Sequence, residues 1–472
     1  MPDQDTWRQY LVVDLPQLIP PLRELLGFDR SHIDVVAVRN TLAETFRYPA
    51  DQFEVVTPPL WRLPPESEED PPSRTVVSLP LRFYTVDWVN LFRDQFAWYE
   101  SQHPTDLGFV SINSDMAIQL ADYCGPFDIS GAMLGRRVDA RRLIRMDALA
   151  AKLTAAELAN INGNNVNIVL IDEGIDKNSI SPPATYATGW TPSGVSVPLP
   201  APGATPPQDA RHSTMMLRNI TDVAPNVRIF DVPLIRQPKY GDLLAFIAAA
   251  HDTLLAVFNA IKNWQQNHPT KYPGPWILVN GWAPFDLRRE IPLGGYSNNA
   301  LNEFHILIND MVSSGIDVVF CAGNCGAFCP DGRCGPNDTG PGRSILGAAS
   351  HPLVISVGAV RVDKMWIGYS SQGPGQPNLS TDKPDICAPS GFAENHDNAA
   401  TNIGTSAASG VVAGVVAALR TKWPPGKVNP VTLKAVLNGT AQKAPGTLPN
   451  RQTGYGILDV QAAYDWLRAK YP

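Results

Sequence analysis

Residues 301–324 read LNEFHILINDMVSSGIDVVFCAGN. Leu301, Phe304, Ile308 and Met311 recur at helical spacing, Gly315 supplies a helix stop, and Ile316–Ala322 is an apolar run of the length a buried strand takes. A helix that delivers the chain directly into a strand apolar on both faces is the repeating unit of a parallel sheet covered on each side. The same pattern extends upstream. Val166–Ile171, Val227–Val232 and Trp276–Val279 read as further strands, and Leu243, Ile247, Leu254, Phe258 and Ile261 mark a helix between the last two. The β-α-β-α-β order predicts an α/β fold with a parallel central sheet and helices on both faces. Residues 181–210 hold eight prolines and three glycines and are read as a long surface loop.

Residues 1–150 give a different, mixed signal: a helix near Leu18–Leu26, an acidic Pro-rich run from Pro64 to Pro72 read as a solvated loop, and a strand over Thr75–Tyr84. They are assigned to a separate N-terminal α+β region, with residues 151–472 as the main domain. Arg136, Arg137, Arg141, Arg142 and Arg145 crowd the junction. They are read as a solvated helix face, with a protease-sensitive junction or a surface for an acidic partner as the alternatives.

The 472 residues are 44% hydrophobic and 18% charged, enough for a large core, and no run of 18 uncharged apolar residues suggests a membrane span. Thirty-eight Lys and Arg against 45 Asp and Glu give a net charge of −7, which provides no field for nucleic acid. Protein or peptide partners are expected, and neither nucleic acid nor membrane. The start carries acids where an export signal needs basic residues, so a cytoplasmic location is expected. Four of six cysteines, Cys321, Cys325, Cys329 and Cys334, cluster in one stretch, with Cys124 and Cys387 apart. Cys321 is read as a small buried hydrophobe. For the other three, free thiols are preferred, ahead of a Cys–Cys loop clamp and of a metal site, for which no fourth ligand is evident.

Three segments stand where such a sheet puts functional loops, beyond a strand or at a helix start: Asp172-Glu173-Gly174, His212-Ser213-Thr214 and Gly404-Thr405-Ser406. Asp, His and Ser in this order, 40 and 194 residues apart, match one of the chain orders in which the catalytic triad recurs. Asp222–Ile229, Phe320-Cys321-Ala322-Gly323-Asn324, Tyr369–Gly373, Lys383–Pro389 and Gly454–Asp459 continue the pattern. From about Asn160 to Leu467 the sequence resembles the subtilases, the subtilisin-like serine proteases.

The resemblance implies a serine endopeptidase. A Ser hydroxyl is a poor nucleophile at neutral pH and needs an imidazole to take its proton, while a carboxylate orients the imidazole and stabilises its cation. Ser406 is thereby assigned as nucleophile, His212 as base and Asp172 as its partner. Asn324 and the Ser406 amide would serve the oxyanion. Gly323 and the segment Asn280, Gly281, Trp282 would bind an extended substrate. Relatives with Glu for the His and Asp for the oxyanion Asn are set aside by His212 and Asn324. His251 and His305 fall on predicted helices and receive no role.

No cofactor is required. Many relatives bind structural calcium, but no Asp-rich loop specific enough for it is present, and no metal ligands are assigned. Family members often carry an N-terminal prodomain that blocks the cleft, so by position residues 1–150 are expected to be either such a prodomain or a docking module. Four departures stand out: Ser213 for the usual Gly, Gly410 for the usual Pro, Glu173 for a small hydroxyl residue and expected to point away from Asp172, and Trp282, read as shaping or obstructing the cleft. Ser213, Gly410 and Trp282 make a catalytically impaired protein-binding module the alternative function, while Glu173 is expected to have little effect on the triad.

Overall fold

Successive residues of one strand enter two different cores: Ile168 and Leu170 the first, Val169 and Ile171 the second. This alternation is what a strand covered on both faces requires. A computed structural model describes residues 7–26, 33–56, 76–120, 135–192, 201–235, 245–288, 290–394, 401–443, 446 and 448–472. The acidic run 64–72, Cys124 and Leu243 lie outside them.

The N-terminal region contains β1 (Trp7–Asp14), α1 (Pro20–Leu26), α2 (Val35–Thr45), β2 (Phe53–Val55), β3 (Val76–Phe83), α3 (Val86–Gln102) and β4 (Phe109–Ser114). Its sheet is antiparallel, in the order β2-β3-β1-β4. Leu11 and Val13 of β1 face this region's own core with Phe46 and Phe92, whereas Tyr10 and Val12 join the second core of the large sheet. The N-terminal sheet is therefore packed on both sides, by its own helices and by the main domain. There follow β5 (Ala117–Leu120), α4 (Arg137–Leu143), α5 (Met146–Lys152) and α6 (Ala155–Ala159).

The main domain runs β6 (Asn167–Asp172), β7 (Thr185–Gly189), α7 (Arg211–Val223), β8 (Arg228–Pro233), β9 (Ala245–Phe246), α8 (Ile247–Asn267), β10 (Trp276–Asn280), β11 (Trp282–Ala283), α9 (Glu303–Ser313), β12 (Asp317–Cys321), β13 (Ile355–Val360), β14 (Ile386–Pro389), β15 (Phe392–Ala393), β16 (Thr401–Asn402), α10 (Gly404–Lys422), α11 (Pro430–Thr440) and α12 (Val460–Lys470). Seven strands form one parallel sheet in the order β14-β13-β12-β10-β6-β8-β7. Residues of α7, α10 and α12 fill one core, and residues of α8 and α9 the other. The stretch 181–210 is not wholly loop, because β7 lies within it and pairs with β8 at the sheet edge. At an edge a strand pairs on one side only, so a Pro-rich neighbourhood can supply it.

Two connections bear on function. Ile144, Met146 and Leu149 share the core of β6, so the helices after residue 135 pack with the large sheet. The arginine cluster there is only partly a solvated face. Arg137 is paired with Glu394 at 2.6 Å and with Asp222, and Arg141 with Asp147 and Asp222, while Arg142 alone keeps 70% of its side chain exposed. Upstream, β5 crosses onto the main domain. It forms a three-stranded antiparallel sheet in the order β11-β5-β9, with Leu120 opposite Trp282 and Ala117 opposite Phe246. Among the described residues no helix is long and apolar enough to cross a membrane.

Candidate active site

The parallel sheet delivers Asp172 at the end of β6, fully buried. His212 is the second residue of α7, and its Nδ1 lies 2.8 and 2.9 Å from the two Asp172 carboxylate oxygens, so the N–H donates to the acid. Ser406 lies in the first turn of α10, a helix buried from Gly404 to Arg420. Gly404 starts that turn at φ +81°, in the region that favours glycine. The Ser406 hydroxyl donates to the Gly281 carbonyl at 3.2 Å. A Cβ added at Gly281 would stand 2.6 Å from Asp172 Oδ2 and 3.0 Å from His212 Cε1. One backbone position between β10 and β11 thus has Asp172, His212 and Ser406 gathered around it, and a side chain there would meet the first two.

Asn324 follows β12 and is fully buried. Its side-chain oxygen accepts from Thr405 N–H and Thr405 Oγ1, both at 2.9 Å. Gly323, at φ +97°, donates its N–H to Thr405 Oγ1 at 3.2 Å. Cys325 and Cys334 form a disulfide immediately beyond, and within its loop Asp331 N–H donates to the Asn324 carbonyl. The loop clamp, rather than the preferred free thiols, is what these two cysteines make. Three-dimensional closure decided a question that spacing left open. Cys329 is free and exposed; Cys321 and Cys387 are free and buried, and burial pushes the Cys321 thiol up to about 12. Among the described residues no three or more His, Cys, Asp or Glu side chains gather in a way that could hold a metal ion.

Within the segment 280–282 the Asn280 and Trp282 side chains turn inward. Asn280 is buried and its Nδ2 donates to the Val319 carbonyl at 3.4 Å. Trp282 is fully buried, its ring against Phe304 and Phe320, so its side chain belongs to the core and only its backbone lies on the edge strand.

Glu173 points away from the Asp172 carboxylate but reaches the start of α7. It is 4% exposed, and its carboxylate accepts from His212 N–H at 2.5 Å. The other two departures are accommodated. Ser213 donates its hydroxyl to the Gly174 and Ala210 carbonyls. A Cβ at Gly410 would stand 3.1 Å from the Met216 carbonyl and 3.0 Å from Asn219 Cβ, so glycine there lets α10 approach α7. Asp231 on β8 accepts from the Gly203 and Ile175 amides, and burial pushes its carboxyl up to about 7. His251 and His305 are buried away from this cluster, the first between Ser78 and Asp252, the second against Tyr296 and His351.

Residues 163–456 match the family model of the Subtilase family, more than half of the chain. The chain belongs to the subtilase family. Membership supports a serine protease. Among solved structures, this subtilase is similar to fervidolysin from Fervidobacterium pennivorans, described as a keratinolytic enzyme related to subtilisin. Identity is 16% and the TM-score 0.56, over 98% of this chain and 61% of that one. The chain therefore spans less than two thirds of fervidolysin's length, and at that identity the likeness speaks for the fold alone. MycP1 from Mycobacterium smegmatis aligns at 17% identity and a TM-score of 0.46, over 74% of this chain and 89% of that one. No curated protein matches the chain.

Proposed function

We propose that this subtilase is a serine endopeptidase acting through Asp172, His212 and Ser406, with Asn324 at the oxyanion. Ser406 Oγ attacks the scissile carbonyl carbon while His212 takes its proton, and Asp172 holds the imidazole and stabilises its cation. The negative oxygen that develops is met by the Asn324 NH2 and the Ser406 N–H at the start of α10, where the helix dipole adds to the attraction. His212 then returns the proton to the departing amine, and water releases the acyl group by the same steps in reverse order. The observation that carries this reading is the Asp172–His212 hydrogen bond together with the gathering of Asp172, His212 and Ser406 around Gly281.

The substrate would enter as an extended strand. Its place is taken by β5, which pairs with β11 on one side and β9 on the other and ends opposite Trp282, one residue from Gly281. This pairing supports an N-terminal region that restrains the enzyme by occupying its substrate edge, with the helices after residue 135 belonging to the peptidase unit. Peptide or protein substrates would replace β5 by the same main-chain pairing.

The test is labelling by a fluorophosphonate, which marks an activated serine, together with peptide turnover. Both are measured in the intact chain and in a sample cut between Leu120 and Gly135. Labelling should be lost in Ser406→Ala, whose turnover should fall by on the order of 10^6, and labelling should accelerate after the cut. Persisting turnover in Ser406→Ala overturns the nucleophile. Equal labelling before and after cutting overturns the restraint.

A further inference from the structure

The Asp172–His212 pair is braced by a residue outside the triad. Glu173 follows Asp172 directly, and Gly174 then turns the chain at φ +102°. The Glu173 N–H donates to Asp172 Oδ1 at 2.9 Å. Its carboxylate, carried by the turn to the start of α7, accepts from His212 N–H at 2.5 Å and lies 3.4 Å from Ser213 N. Ala210, the residue before that helix, provides no side-chain cap. Helix starts leave amide donors without intrahelical partners, and a carboxylate there is favoured by hydrogen bonding and by the helix dipole. One residue therefore holds the acid through its main chain and the base's helix through its side chain.

We propose that Glu173 is a positioning residue for the Asp172–His212 pair, fixing the start of α7 so that the imidazole keeps its place against Asp172. The inference rests on the reading of His212 as the base. Two consequences separate it from a merely structural cap. The Glu173 charge lies on the same turn as the imidazole and favours its cationic form, so removing the charge should ease deprotonation. Removing the acceptor as well should let the first turn of α7 shift, and a small misplacement of a catalytic group is costly. Glu173→Gln does only the first, and Glu173→Ala does both.

The experiment follows the His212 imidazole by NMR in the full-length chain as pH is varied, the resonance being assigned by its loss in His212→Gln. It is paired with the pH profile of Ser406 labelling by a fluorophosphonate. In Glu173→Gln the His212 midpoint should fall by roughly half to one pH unit, and the acid limb of labelling should move with it. Glu173→Ala should label roughly tenfold more slowly at the plateau, with Gln recovering part of the loss. A His212 midpoint unchanged by Gln overturns the proposal, as does Ala labelling at the wild-type plateau. Melting curves identify an Ala variant that fails to fold, in which case the Gln comparison decides. If wild type does not label even after a cut between Leu120 and Gly135, yet the His212 midpoint falls in Gln, the nucleophile reading fails and the positioning role stands.

Discussion

Two helices begin at the candidate active site, and their first turns are treated in opposite ways. The start of α7 is closed: Glu173 accepts from His212 N–H, and Ser213 donates back to Gly174 and Ala210. The start of α10 has no side-chain cap on Ile403, and its first amides are engaged from outside the helix, Gly404 by the Tyr369 hydroxyl and Thr405 by the Asn324 side-chain oxygen. The same electrostatic resource, a row of amide donors at the positive end of a helix, fixes an imidazole in one case and, under the proposed mechanism, serves in the other the charge that appears during reaction. Holding and binding are alternative uses of one element, and the neighbouring side chains decide which applies.

The most severe way to break the comparison, short of removing Ser406, is to take away the group that works with the α10 start. Asn324→Ala should slow peptide turnover by roughly 10²–10³ with little change in the Michaelis constant, because the lost donor meets the oxyanion rather than the ground-state carbonyl. Steady-state kinetics check this, and a rise in the Michaelis constant alone would remove Asn324 from that role. Next comes the backbone position shared by both helices. Gly281→Ala puts a methyl 2.6 Å from Asp172 Oδ2 and 3.0 Å from His212 Cε1. Displacing the pair should cost about 10² in turnover, read by the same kinetics, with the fold retained in circular dichroism.

A gentler test parts the helices without touching the triad. Gly410→Ala brings a methyl to 3.1 Å from the Met216 carbonyl on α7, and backbone yields poorly. A loss of about 1–3 kcal/mol of stability should appear as a lower melting temperature. The smallest effect concerns the loop behind the Glu173 turn, anchored at Ile175 by Asp231. The Asp231 carboxyl is raised by burial from 3.8 to about 7, so between these values the folded chain holds a proton that the unfolded chain has lost. This group's contribution to stability is therefore full below pH 4 and is lost as pH rises through about 7. Asp231→Asn should remove that component. Denaturant titrations should show wild-type stability falling relative to the variant from pH 4 to 7, and a constant difference would count against it.

What could be read beforehand divides along the same line. Asp172, His212, Ser406 and Asn324 announce themselves as residue types in short segments, and the parallel sheet as apolar runs between helical spacings. Directions and partners did not follow from the sequence. A strand-end Glu was expected to point away from its neighbour, and it does leave the Asp172 carboxylate, but the turn at Gly174 carries it to a helix 39 residues downstream. Trp282 faces the core rather than the cleft because it packs against Phe304 and Phe320, distant in sequence. Ala117–Leu120 is a four-residue strand whose identity depends wholly on the two strands that flank it. In each case the deciding contact is tertiary, and local pattern carries no record of it.

The strand β5 is covalently part of the molecule whose edge it occupies. Its concentration at that edge is accordingly set by chain length, not by how much protein is present, and for a short tether it is on the order of millimolar. Under the proposed restraint, a peptide supplied at micromolar levels would face this competitor on every molecule, whatever the dilution. Cutting the tether and releasing the N-terminal region would turn the competitor into an ordinary solute, and dilution alone would begin to favour the substrate.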